Sequence, residues 1–182
     1  MKDPSRYYVI SDLHLGHQKI INFVHEGTEQ VIRANPSTGK PFDSIQQHDE
    51  YLIAQWNATV NPGDTVYFLG DLAFDKKHLA YAGRLNGRKI IIPGNHDIFP
   101  AKDYLAYFDD VRSTMVRDGI IFTHVPVHPE CVEFRFKLNV HGHIHHTKIN
   151  NPKYYNVCLE HLYHRQYKPI PLTEILQYRN TL

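Results

Sequence analysis

The six residues His141-Gly142-His143-Ile144-His145-His146 carry four imidazoles. Imidazole is a common ligand for transition metals, and alternate residues of an extended segment point the same way. His143 and His145 therefore reach one small volume. Two imidazoles do not complete a metal site, so further ligands must come from elsewhere. Four other places offer them: Asp12 with His14, Asp71 after Gly70, Asn95 after Gly94, and His124. Aspartate, asparagine and histidine without a thiolate suit borderline or hard divalent ions such as Mn, Fe, Zn or Ni. The seven candidates, Asp12, His14, Asp71, Asn95, His124, His143 and His145, are too many for one tetrahedral ion. They fit two ions sharing a carboxylate, and two ions ~3.5–4 Å apart can clamp a phosphate and activate a water.

Each of these places follows an apolar, β-type run. The runs are Tyr7–Ile10, 64–69, 89–92, 120–123 and 134–140. Open α/β sheets collect ligands beyond the carboxyl ends of their strands, so five such endings point to one site. Glycines 70, 94 and 142 suit tight turns and close approach to a ligand. Between the runs, apolar spacing predicts a short helix over 18–24 and a helix opening at Asp43 or Ser44, with Gln47 completing a capping box. Further helices are expected over 75–85, 102–108 and 173–178. Residues 111–116 and 120–123 flank Arg117-Asp118-Gly119 as a hairpin, and 156–159 make one more strand. Residues 26–41 hold two glycines and two prolines and read as a loop long enough to border a site.

Composition narrows the function classes. The 182 residues suit one domain spanning 1–182, and 42% hydrophobic content describes an ordinary globular protein. Basic and acidic residues number 20 and 19 without long runs, so nothing calls for a polyanion or an anionic membrane as partner. Cys131 and Cys158 lie in no C-x-x-C arrangement, and reduced thiols in a cytoplasmic protein are expected. No window approaches the length of a membrane span. The compositional outlier is histidine, with 14 residues.

Taken in order, Asp12-Leu13-His14, Gly70-Asp71, Gly94-Asn95-His96-Asp97, His124 and Gly142-His143-Ile144-His145 resemble the signature of the calcineurin-like metallophosphoesterases. The surrounding text resembles the small single-domain bacterial and phage members. Phe74 departs from the pattern, since many members carry an aspartate there. The resemblance implies an α/β fold, a four-layer sandwich of two central mixed β-sheets flanked by helices. It implies one metal on Asp12, His14, Asp71 and His145 and another on Asp71, Asn95, His124 and His143, with Asp71 bridging and Mn the expected ion. It further implies a phosphoester hydrolase in which a hydroxide held between the ions attacks phosphorus. His96 protonates the leaving oxygen, and Asp97 orients its ring.

Singly, each block has a plainer reading. Asp12 can cap a turn, Asp71 can be a turn residue, and His124 can be structural. His17 lies near Asp12 and is a candidate for touching substrate, while His128, His141 and His146 read as structural or supporting residues. A metal-free binding scaffold of the same fold is disfavoured by the intact ligand set. A metallo-β-lactamase-type hydrolase is disfavoured because His145 replaces the aspartate of its H-x-H-x-D-H block. Scattered basic residues favour small phosphoesters or nucleotides as substrates over long nucleic acid, for which a nuclease is the alternative.

Overall fold

The structure, a computed structural model, describes residues 3–182. Short runs rich in aromatic and β-branched residues form its strands, as expected of positions on a pleated, buried surface. They are β1 (Tyr7–Ile10), β2 (Thr65–Phe68), β3 (Arg88–Ile91), β4 (Asp110–Val111), β5 (Met115–Arg117), β6 (Ile120–Phe122), β7 (Leu138–His141), β8 (Tyr154–Asn156) and β9 (Ile170–Pro171). One sheet has the order β4-β3-β2-β1-β9 and the other β5-β6-β7-β8. Strands β1 to β4 pair in parallel, with β9 antiparallel at the edge. Strands β6, β7 and β8 are parallel, with β5 antiparallel. Two mixed sheets with helices make an α/β architecture that fits a sandwich.

Strand alternation explains the layering. On β2, Tyr67 meets Phe122 of the second sheet in a T-shaped contact, with ring centroids 5.4 Å apart. Its neighbour Phe68 points the other way, to Trp56 and Phe108. Trp56 belongs to α1 (Ile45–Asn57), the longest helix among the described residues. Ser44 caps its start as expected, with Ser44 Oγ accepting from Gln47 N, while Gln47 Oε1 reaches back one residue further than in a capping box and accepts from Asp43 N. The other α-helices are α2 (Lys76–Leu79), α3 (Ala101–Tyr104), α4 (Pro129–Phe134) and α5 (Leu172–Asn180). Among the described residues no helix is long and apolar enough to cross a membrane.

Several expectations need correcting. The helix expected over 18–24 is a single 3-10 turn, Ile20–Asn22. The helix expected over 75–85 changes to 3-10 geometry at Ala80–Arg84, where Gly83 weakens helix propensity. Residues 111–116 do not run as one strand. Val111 extends β4 beside β3 in the first sheet, whereas Met115 opens β5 in the second. The strand expected over 134–140 begins only at Leu138, because Pro129 opens α4 just before it. The strand expected over 156–159 lies earlier: Tyr154–Asn156 pairs with β7, and Cys158 only bridges to Ser11.

Candidate metal centre

Strands β1, β2 and β3 of one sheet and β6 and β7 of the other end along a common edge. There the backbones interlock: Asp12 N donates to Gly70 O, His14 N to Asp71 O, and Gly142 N to His124 O. His143 N donates to Asp12 Oδ2 at 3.0 Å, tying the tip of the second sheet to that of the first. Such approach leaves no room for side chains at two glycines. A Cβ on Gly94 would run into Asp71 Oδ1 and the His124 ring, and one on Gly142 into Ser11 Oγ and Asp12 Oδ2.

The backbone at this edge is unusual. Eight non-glycine residues among those described have positive φ, and five are Asp12 (60°), His14 (50°), Asp71 (56°), His143 (72°) and His145 (48°). Left-handed backbone is disfavoured for side-chain-bearing residues and gathers at functional sites when it persists. Strand ends that turn sharply in this way aim their side chains inward together.

Asp12, His14 and His145 offer ligand atoms within 4.8 Å of one another, and so do Asp12, Asp71 and His124. Asp71 Oδ2 lies 3.6 Å from His14 Nε2 and 3.5 Å from His124 Nε2, between the two imidazoles. The Asn95 carbonyl joins the second side, 3.0 Å from His124 Nε2 and 2.7 Å from His143 Nδ1. Asp12 thus belongs to both close groups, whereas the resemblance implies Asp71 alone as the shared ligand.

The donor set fits divalent metal. His14 is buried, yet among the described residues neither of its ring nitrogens has a hydrogen-bond partner. An unpaired buried imidazole is costly without a ligand to satisfy it. Burial holds its pKa below the ordinary 6.5, against the pull of the Asp12 carboxylate, so the ring is neutral and able to coordinate. Burial would raise the Asp12 carboxyl, but the polar groups facing it, the His14 and His124 imidazoles and the Ser11 hydroxyl that donates to it, outweigh that. Asp12 is held well below the usual carboxylate range. His124 Nδ1 donates to Leu69 O at 2.7 Å, which fixes the tautomer and leaves Nε2 toward Asp71.

His145 is held differently. Its Nδ1 lies 2.9 Å from Glu160 Oε1, leaving Nε2 for a ligand. The same oxygen accepts from Arg33 Nε at 2.9 Å. Arg33 is fully buried and also donates to Asp12 O and Leu13 O, at the turn carrying the first ligands. Burial opposes charge on His145, but Glu160 outweighs it and raises the imidazole above its ordinary value. Sequence reasoning missed Arg33 and Glu160. The length of the 26–41 loop was the only signal, and nothing in it singled out Arg33.

The remaining expected residues fall around this edge. His96 lies 5.5 Å from His14 and 4.6 Å from Phe74, ring to ring, and its backbone N–H donates to Asp71 Oδ1. Asp97 does not meet the His96 ring, contrary to expectation. Its carboxylate accepts from the backbone of Asp71, Leu72 and Gly94, so it braces the loops instead. His17 stacks on Phe74 at 4.2 Å beside His14, with its pKa lowered to about 4 chiefly by burial. His141 is buried within β7, His128 caps α4, and His146 is exposed against His25.

No known family profile matches the chain. It is 29% identical to the uncharacterized protein MJ1445 of Methanocaldococcus jannaschii, over 94% of this chain and 90% of that one. It is also 29% identical to the Gene 66 protein of Mycobacterium phage L5, over 51% of this chain and 40% of the phage protein. Among solved structures, the protein of unknown function AQ665 from Aquifex aeolicus superposes with a TM-score of 0.63 and 24% identity. The match covers 94% of this chain and 97% of that one, so the two share a fold. A looser superposition on a Pseudomonas putida nuclease, MPE, reaches a TM-score of only 0.40 and 16% identity over 78% of this chain and 62% of that one, and carries no argument.

Proposed function

We propose that this chain is a calcineurin-like phosphoesterase, a four-layer sandwich that uses two divalent metal ions, Mn foremost, to hydrolyse small phosphate mono- or diesters. The observation that carries the reading is Asp71 Oδ2, poised 3.6 Å from His14 Nε2 and 3.5 Å from His124 Nε2. Asp12, His14 and His145 would hold one ion, and Asn95, His124 and His143 the other, with Asp71 between them. When bound, such ions lower the pKa of water and offset the charge of a phosphoryl group.

The protein's own residues supply the rest. The neutral Asn95 amide contributes a ligand oxygen without adding negative charge opposite an anionic ester. His96 flanks His14 at the mouth of the cluster and donates a proton to the leaving oxygen. The phosphorus–oxygen bond to that group breaks as the bond to the water oxygen forms. Asp97 keeps the Gly94 and Asp71 loops in register so that His96 stays beside the ligand set.

The test is hydrolysis of p-nitrophenyl phosphate and bis(p-nitrophenyl) phosphate by chelator-stripped protein before and after Mn addition. The expected result is no turnover when stripped and recovery with metal. Turnover indifferent to chelation contradicts the proposal. A salt-sensitive preference for long oligonucleotides over these small esters would favour a nuclease instead.

A further inference from the structure

Beside His145 opens a cavity of about 480 Å³ whose walls are unlike the metal-ligand cluster it adjoins. Ile20, Phe23, Val24 and Ile32 make it largely apolar. His145, one of the candidate ligands, and its Glu160 brace are part of the wall, and Asn22 and His146 contribute polar groups. Phe23 and Val24 are 44% and 46% exposed, an unusual placement for large apolar side chains next to a charged site. They are nonetheless held in place. Phe23 O accepts from Ile32 N at 2.7 Å, and Val24 bridges to Val31. The Phe23 ring meets His17 in a T-shaped contact with centroids 5.8 Å apart.

We propose that this cavity is a subsite for the planar aromatic ring of the ester group, a nucleobase or an aryl substituent. The inference rests on the phosphoesterase reading and deepens it. His145 belongs to both the ligand cluster and the cavity wall, so the cavity adjoins the place where a phosphate at the cluster would sit. The volume suits a small-molecule site, and a rigid ring gains stacking against Phe23 and His145 at little entropic cost. Asn22 and His146 offer hydrogen bonds to ring heteroatoms, which an aliphatic chain would leave unused. The cavity thus supplies the selectivity that a metal pair gripping any phosphate lacks.

Phosphonates carry an uncleavable phosphorus–carbon bond and permit a binding test. Mn-loaded protein is titrated calorimetrically with methylphosphonate, hexylphosphonate, benzylphosphonate and the methylene phosphonate analogue of a pyrimidine nucleotide. The ring-bearing compounds should bind about tenfold or more tighter than methylphosphonate. That ratio should fall close to one in Phe23→Ala and persist in Phe23→Tyr, which keeps the ring. Equal gains for benzyl and nucleoside compounds assign any aryl ring, and a larger gain for the nucleoside assigns a nucleobase. Hexylphosphonate matching benzylphosphonate, or a ratio unmoved in Phe23→Ala, overturns the subsite. Binding of all four with equal affinity removes the subsite and leaves the phosphoesterase reading standing, whereas no binding by any of them removes both.

Discussion

Replacing Glu160 with alanine perturbs the fold and the proposed metal centre through one contact. Glu160 Oε1 accepts from Arg33 Nε and holds His145 Nδ1, each at 2.9 Å, and its side chain is 3% exposed. Arg33 is 0% exposed, so without Glu160 a buried guanidinium is left, among the described residues, with the Asp12 and Leu13 carbonyls and His48 as its hydrogen-bond partners. Removing one partner of a buried ion pair typically costs about 3–5 kcal/mol, a large part of the roughly 5–15 kcal/mol that stabilises a domain. Loss of the carboxylate that orients a metal-binding histidine weakens metal affinity about 10–100-fold. Urea unfolding of metal-free protein reads the first effect, and calorimetric Mn titration the second. Glu160→Gln keeps an acceptor oxygen, so it should unfold less readily than Glu160→Ala and still bind Mn more weakly than wild type. A Glu160→Ala protein within about 1 kcal/mol of wild type, with Mn affinity unchanged, would refute the assigned role.

Four further outcomes are expected. Asp71→Asn should abolish turnover and lower Mn binding on both sides of the cluster, read by metal analysis of the purified variant. His96→Ala should slow turnover about 10²–10⁴-fold with poor leaving groups and much less with nitrophenolate, while Mn content stays that of wild type. Gly142→Ala forces a methyl against Ser11 Oγ and Asp12 Oδ2, and should cost about 1–3 kcal/mol in urea unfolding. His48 is buried, and burial holds its pKa below 6.5 despite its hydrogen bond to Asp49. Its contribution to stability is therefore full above pH 6.5 and lost as pH falls below it. Unfolding of metal-free wild type and His48→Gln at about pH 7.5 and about pH 5.5 should show the smaller acid loss in the variant.

The parts of this site that were legible in sequence share a physical cause. An apolar run that stops abruptly at Asp12, Asp71, Asn95, His124 or His143 marks a buried strand surfacing at its carboxyl end, and all five lie along one edge. The assignment of strands to sheets was not legible. Val111 and Met115 are four residues apart yet pair in different sheets, a choice made by tertiary packing and not by local pattern. Nor did residue type announce the left-handed turns at Asp12, His14, Asp71, His143 and His145, since no glycine marks those positions. Arg33 and Glu160 stand 127 residues apart, and only the fold brings them together. The Asp97 error has a simple origin. The resemblance implied a pair with His96, whereas the tight turn directs the Asp97 carboxylate back onto the N–H groups of Gly94, Asp71 and Leu72.

The central claim, two ions sharing Asp71, is tested most directly by anomalous diffraction from crystals of this protein grown with Mn. The account predicts two peaks per chain about 3.5–4 Å apart. One should touch Asp12, His14 and His145, the other Asn95, His124 and His143, with the Asp71 carboxylate reaching both. A single ion, or ions bound away from Asp71, would contradict it.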